Sequence, residues 1–559
     1  MPTRQNQMNR RTFIKTTSLV TAGVFAGCSL RQRFHVLIRN GLVYDGSGAA
    51  PQRLDLGLVR DKIVALGRFP NATADLVLEA GDLAVTPGFI DIHTHTDVEL
   101  MANPKGESKI RQGVTTEVSG NCGSSPFPLT PGGVDDLDTY YMRHYGIHVT
   151  WENLQGFYDR FDRHSPGMNY ATFTGQGDLR GAVVGQNDVP PTADQMKAMQ
   201  RLLAESMEQG SLGLSTGLEY APGSYAKTDE LVALCEVVGQ YGGIYATHMR
   251  NEDDRVEEAI EEALTISRQA GVPLQISHLK ACNRANWNKI DRILENLEPI
   301  SRNEPVSADR YPYDAWGTGL SSFIPLWARQ GNTDEVLERL KSPLYRQKIL
   351  DYAQSRAERI GGWDRVWISS CSLEKNKPCE GKSIQAIARE DRQTPEKIVE
   401  RLLLEERTRV GVVGFAMSED NLKKVLAAPY VMIGSDGNAV APYGVLGSGN
   451  PHPRFYGTFP RVLGKYVREE GVLSLEEAVK RMTSMPAEKL GFSDRGRIAI
   501  GKKADLVLLN PKTVIDKATY SDPHQYPVGI ETVLVNGKLT IHQGEHTGAL
   551  AGEVLRHQG

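Results

Sequence analysis

TPGFIDIHTHTD, residues 86–97, is the stretch whose reading decides the fold. Pro87-Gly88 makes a turn, Phe89, Ile90 and Ile92 make a short apolar strand, and the strand runs out into His93-Thr94-His95. Residues two apart on a strand point to the same side, so both imidazoles leave one face, about 6–7 Å apart at the backbone. That spacing suits two ligands of one metal ion, and Asp97 follows two residues on. On this pair by itself, a polar strand end that carries two histidines by chance is the competing reading. The rest of the chain decides between them.

Outward from this strand, residues 86–488 alternate apolar strand-like runs with helical stretches, the pattern of βα units and a parallel sheet. The runs are GFIDIHTH (88–95), VTTEVSGNC (114–122), NYATFTGQ (169–176), SLGLSTG (211–217), GIYATHM (243–249), PLQISHL (273–279), VSADRYPY (306–313) and YVMIGSD (430–436). Eight strands, with amphipathic stretches such as 193–209 and 254–269 between them, make an α/β fold, a (β/α)8 TIM-like barrel. The connection 314–429 is too long for one loop, so about 325–410 is expected to be an inserted small domain with a short strand near 366–370. Residues 123–158 are also long for a loop and are expected to form a lid, with Met142, Tyr145 and Trp151 as packing residues. Residues 34–85 and 489–556 carry alternating strands punctuated by Asn-Gly and Asp-Gly, so the two chain ends are expected to build one small β-sandwich.

Of 559 residues, 40% are hydrophobic and 24% charged, which is enough core for an ordinary soluble enzyme. A net charge of −4 offers no polycationic surface for nucleic acid. Beyond the N-terminus no apolar run is long enough to span a membrane. Residues 1–28 read as a targeting segment, set apart from the fold. Asn9-Arg10-Arg11-Thr12-Phe13-Ile14-Lys15 resembles a twin-arginine export signal, and Phe25-Ala26-Gly27-Cys28 resembles a bacterial lipoprotein cleavage box with Phe where Leu is usual. These resemblances imply export to the periplasm and a lipid anchor on Cys28, with Ser29 pointing to the outer membrane. The six cysteines form neither a zinc framework of CxxC pairs nor a dense disulfide pattern, and Cys371 with Cys379 is the one candidate pair.

The metal-ligating residue types fall at the ends of the strand runs. His93 and His95 close the first, Cys122 the second, His248 the fifth, His278 the sixth and Asp436 the eighth. Active sites of this barrel lie at the C-terminal ends of its strands. Imidazole and thiolate suit a borderline-soft ion such as Zn²⁺. Taken singly, each residue has an ordinary alternative as a core hydrogen-bonder or small buried hydrophobe. Taken together at one rim, they make a metal site.

This pattern resembles the amidohydrolase superfamily over most of the chain. Many members place a carboxylated lysine between two metals, whereas here SGNCG offers Cys122. That substitution is similar to the N-acyl-D-amino-acid deacylase (D-aminoacylase) family. THMRNE (247–252), SHLK (277–280), YPY (311–313), GSDG (434–437), HPRFYGTFPRVLGKY (452–466) and HTGAL…GEVLR (546–556) carry the same resemblance. It implies one tightly bound zinc on Cys122, His248 and His278. A second, weaker site would lie on His93, His95 and Asp436, with Cys122 able to bridge. Asp436 would be the catalytic acid–base group. Lys280, Tyr311 and Arg454 would grip the α-carboxylate of an N-acyl-D-amino acid, with His452 in support. On that reading Arg454→Ala mainly raises KM. The implied reaction releases a carboxylate and a D-amino acid. Alternatives are a cyclic-amide hydrolase of the dihydropyrimidinase or hydantoinase type, a dipeptidase for C-terminal D-residues, and a non-catalytic envelope lipoprotein. Composition and motifs leave the acyl group, the side-chain preference and the oligomeric state open.

Overall fold

The computed structural model describes residues 33–163 and 165–558. The export motif and Cys28 lie outside the described residues. The barrel strands are β1 Phe89–Asp91, β2 Val114–Ser119, β3 Asn169–Thr172 continued by Thr174–Gly175, β4 Gly213–Gly217, β5 Ile244–His248, β6 Leu274–Ile276, β7 Val306–Arg310 and β8 Val431–Ile433. Each of the eight apolar runs contains one of them, and neighbours pair in parallel in chain order. A parallel bridge between Thr94 and Gly437, with Asp436 N donating to His93 O at 2.8 Å, joins β8 to β1 and closes the ring. The strands are buried throughout because side chains fill the barrel and helices cover its outside.

The helices between strands follow from sequence in the ordinary way. Ala193–Glu208 starts at a capping box in which Thr192 and Gln195 satisfy each other's backbone N–H. Val256–Ala270 buries Ala259, Ile260, Ala263, Leu264 and Ile266 against the sheet and ends at Gly271, whose φ of 67° suits a residue without Cβ.

One buried polar network ties the ends of β1, β2 and β8 together. Lys109 Nζ donates to Asp91 Oδ2 at 2.8 Å, Ser435 Oγ at 2.6 Å and Gly437 O at 3.0 Å, and lies 3.3 Å from Glu117 Oε1. Lys109, Asp91 and Glu117 are all fully buried. Burial, the largest influence, pushes the Glu117 carboxyl up to about 7 against the pull of Lys109. Removing the one cation leaves two buried carboxylates facing each other. Lys109→Met is therefore expected to destabilise the fold by about 3–5 kcal/mol, read as an earlier urea midpoint.

Both chain ends join one nine-stranded sheet. Its hydrogen bonds run continuously from the N-terminal to the C-terminal strands. The long strand Arg33–Val43, bulged between Ile38 and Gly41, pairs with Thr73–Glu79 over its first half and with Ala84–Pro87 at its end. Leu506–Leu509 then pairs with Ala84–Pro87, bringing in the C-terminal strands. The strand Ala84–Pro87, in the middle of this sheet, leads directly into the N-terminal end of β1.

The inserted unit begins earlier than about 325. Trp316–Gly319 pairs antiparallel with Gly411–Gly414, which also pairs with Val366–Ser370. WGTG, half glycine and lacking any alternating apolar pattern, gives no strand signal of its own. Helices Thr333–Lys341, Arg346–Ile360, Ile384–Glu390 and Pro395–Glu405 cover this small sheet over a core of its own. Cys371 and Cys379 are free thiols, buried in that core rather than joined.

The lid stretch holds helices Pro131–Tyr145 and Leu154–Arg163. Trp151 is buried and donates Nε1–H to Pro126 O at 2.9 Å, and Tyr145 OH donates to Glu99 Oε1 at 3.3 Å. Met142 is exposed, so it does not act as a packing residue. No helix of the described residues is long and apolar enough to cross a membrane.

Candidate metal centre

His93, His95, Cys122, His248, His278 and Asp436 meet at the C-terminal mouth of the barrel. They form two groups that share Cys122. One is His93, His95, Cys122 and Asp436, the other Cys122, His248 and His278, with ligand atoms in each within 4.8 Å of one another. Cys122 Sγ lies 3.4 Å from His93 Nε2 and 3.5 Å from His278 Nε2. His248 Nδ1 lies 3.1 Å from His278 Nε2, and Asp436 Oδ1 lies 2.9 Å from His95 Nε2 and 3.5 Å from His93 Nε2. Two ligands at zinc bond lengths around a tetrahedral ion stand roughly 3.3–3.6 Å apart, so most of these spacings fit a cation shared between them. The donor set of one thiolate, imidazoles and one carboxylate also fits zinc.

Backbone turns aim these side chains. Cys122, His278 and Asp436 all have positive φ, at 52°, 37° and 50°. Such conformations are uncommon for residues with a Cβ and concentrate where surrounding structure holds a functional side chain in place. The turn at Cys122 needs its flanking glycines. A Cβ on Gly120 would stand 2.2 Å from Phe173 O, and one on Gly123 would stand 2.6 Å from Gly217 N.

Burial by itself would push the Cys122 thiol up. His93, His248 and His278 outweigh it and hold the thiol well below its usual range, which favours the thiolate a metal binds. Burial likewise opposes ionisation of Asp436, but Arg454 and the nearby histidines hold its carboxyl well below the ordinary value.

Two carboxylates absent from the sequence-derived site stand behind the imidazoles, and one of them, Asp309, hydrogen-bonds to its histidine. Asp309, at the end of β7, accepts from His93 Nδ1 at 3.1 Å, from the backbone N–H of His278 at 2.9 Å and from Gln275 Nε2 at 2.9 Å. Glu252 sits 2.9 Å from His278 Nδ1 but off the hydrogen-bonding line and 2.7 Å from Lys280 Nζ, and His278 Nδ1 accepts instead from Lys280 Nζ at 2.8 Å. Carboxylates behind metal-facing histidines fix the tautomer and raise ligand basicity. Glu252 lies four residues after His248 in THMRNE, and Asp309 stands two before Tyr311. Neither spacing separates it from neighbouring surface acids.

The residues assigned to substrate divide. Tyr311 lines the cavity above the metal groups, and its buried hydroxyl has no partner among the described residues. Arg454 lines the same cavity, with Nη1 2.8 Å from Asp436 Oδ2 but off the hydrogen-bonding line and Nε unpartnered among the described residues. Arg454 is therefore not independent of Asp436, and the expectation that Arg454→Ala acts mainly on KM needs correcting. Lys280 also reaches the cavity wall, but its charge is already engaged by Glu252. His452 uses both ring nitrogens. Nδ1 accepts from Arg454 N at 3.1 Å and Nε2 donates to Ala315 O at 2.9 Å, which anchors the loop rather than leaving a free base. Asp97 takes a hydrogen bond from Ser119 Oγ at 2.8 Å and joins neither ligand group. The cavity measures about 980 Å³, with the lid residues Tyr140, His144 and Tyr145 and the insert residues 369–372 and 408–413 in its walls.

A family model described as "Amidohydrolase family" matches residues 77–302 and 381–541. The chain belongs to this family. It is 34% identical to a D-aminoacylase of Alcaligenes xylosoxydans xylosoxydans over 94% of this chain and 98% of the relative. It is also 34% identical to an N-acyl-D-glutamate deacylase of the same organism, over 91% and 94%. Among solved structures, N-acyl-D-glutamate deacylase from Bordetella bronchiseptica, complexed with zinc and a phosphonate mimic of the tetrahedral intermediate, superposes with a TM-score of 0.80. That pair shares 33% identity over 94% of this chain and 100% of the other.

Proposed function

We propose that this amidohydrolase is a zinc-dependent N-acyl-D-amino-acid deacylase that cleaves a linear amide to a carboxylate and a free D-amino acid. The observation that carries the reading is the placement of Arg454 and the unpartnered Tyr311 hydroxyl in the cavity wall beside Asp436 and the Cys122-centred donor set. A free α-carboxylate is the group such a pair recognises, and a cyclic amide has none to offer. The deacylases to which the chain is 34% identical support the same substrate class. The test is turnover of N-acetyl-D-methionine, N-acetyl-L-methionine and hydantoin by the zinc-loaded protein. Selective cleavage of the D-enantiomer is expected, and preferred cleavage of hydantoin would place the protein with the cyclic-amide hydrolases.

Cys122, His248 and His278 would hold the tight zinc, and His93, His95 and Asp436, with Cys122 bridging, a weaker second ion. Bound zinc supplies Lewis-acid polarisation of the amide carbonyl and lowers the pKa of water toward about 7. Asp436 Oδ1, facing the histidines, is placed to accept the proton of the attacking water. The same carboxyl can return that proton to the departing nitrogen, which leaves poorly as an unprotonated amide anion. Arg454 holds Oδ2 on the other side, so one oxygen stays oriented while the other works. Asp309 keeps His93, and Lys280 with Glu252 beside it keeps His278, turned toward the donor cluster.

Residues 10–15 and Cys28 support a further proposal, that the enzyme is exported by the twin-arginine route and held by a lipid at the periplasmic face of the outer membrane. Replacing Arg10 and Arg11 together by Lys is expected to leave active enzyme in the cytoplasm, and Cys28→Ala to release it from the membrane fraction. Fractionation with an activity assay checks both. Normal envelope delivery of the double-Lys variant would contradict the route.

A further inference from the structure

We infer that Arg310 is a further positioning residue for substrate, a buried and uncompensated cation behind Tyr311 that makes the carboxylate subsite electrostatically attractive. The inference rests on the deacylase reading and adds to it a residue that never touches the substrate.

Arg310 closes β7 and is 1% exposed. Its Nη2 donates to Tyr313 O at 3.0 Å and lies 3.1 Å from Met417 Sδ. Nε and Nη1 have no partner among the described residues. Around it stand Tyr311, Tyr313 and Met417, and among the described residues no carboxylate lies within ion-pair distance of its nitrogens, Asp314 and Asp516 being held by Tyr520 and Tyr313 instead. The two other cations here are each matched. Lys280 lies 2.7 Å from Glu252, and Arg454 lies 2.8 Å from Asp436. Arg310 is the surplus charge.

Its guanidinium carbon lies 4.3 Å from the centroid of the Tyr311 ring, and that of Arg454 lies 4.7 Å from the same ring. One aromatic side chain thus carries both guanidinium groups and presents its hydroxyl to the cavity. A buried ion without a counter-ion is unfavourable for the fold, and proteins keep such features where function uses them. The missing negative charge arrives with the substrate. A carboxylate bound at Arg454 and Tyr311 shares one ring with Arg310, in surroundings where water screens little. Arg310 therefore acts through charge and through its hold on Tyr311.

The test uses the zinc-loaded full-length enzyme and two ligands that differ only in charge, N-acetyl-D-methionine and N-acetyl-D-methioninamide. The KM of the acid is compared with the KM of the amide, or with its Ki as a competitive inhibitor if it is not cleaved. Arg310→Met and Arg310→Gln are made together, because Gln can still donate to Tyr313 O if Met is not tolerated. For both, affinity for the acid is expected to fall about tenfold while that for the amide changes less than about twofold. Arg310→Lys, which keeps the charge, should recover most of the acid's affinity. Equal weakening of acid and amide, or a Lys variant as weak as the neutral ones, would overturn the inference while leaving the deacylase reading intact. Failure of the unaltered enzyme to cleave N-acetyl-D-methionine would overturn that reading, and this inference with it.

Discussion

Cys122→Ala is expected to reduce turnover to background and to lower zinc content well below that of the unaltered enzyme. Cys122 is the residue common to both donor groups, so its loss opens both at once. Removing a thiolate leaves a tight ion with two imidazoles and water, and metal affinity falls steeply with ligand number. The neighbouring histidines also lose the anion that draws them together, since Cys122 Sγ stands 3.4 and 3.5 Å from His93 and His278. Metal analysis and turnover on one purified sample read both effects. A variant that kept full zinc and activity would make Cys122 a packing residue.

Asp436→Asn is expected to keep the tight zinc and lose kcat by at least about 10²-fold, the scale of lost acid–base catalysis. Asn preserves size but cannot take a proton. The geometry alters what the comparison variant Arg454→Ala should do. Arg454 is 2.8 Å from Asp436 Oδ2 and is the first of the charges that hold this carboxyl low. Its removal frees Asp436 to move and to hold protons at higher pH, so KM should rise and kcat should fall as well. If Asp436→Asn instead emptied the tight zinc site, Asp436 would be a structural ligand. The search for the proton carrier would then pass over His452, whose two nitrogens are already engaged.

The barrel and the residues that gather at its mouth are legible because both are written in local pattern. A parallel strand buried on both faces reads as an apolar run, and a ligand at its C-terminal end reads as a polar residue closing that run. His93, His95, Cys122, His248, His278 and Asp436 all obey this. Glu252 and Asp309 do not, because they act on other side chains. Their importance depends on the 2.9 and 3.1 Å contacts to His278 and His93 rather than on their place in sequence. The same holds for Arg454, whose contact with Asp436 joins a post-strand loop to the start of the helix Arg454–Arg461. SHLK puts the amine of Lys280 near the site, where it lines the cavity, and the structure adds its ion pair with Glu252. In the insert, WGTG at 316–319 carries no strand signal, because tertiary pairing with Gly411–Gly414, not side-chain preference, makes it a strand.

The most direct test of the account is to strip the protein of metal, add zinc back stepwise, and measure release of acetate and D-methionine from N-acetyl-D-methionine. Turnover is expected to be at background without metal and to rise with the first equivalent bound, as the site of Cys122, His248 and His278 fills. Turnover that is independent of zinc, or absent at every zinc loading, would contradict it.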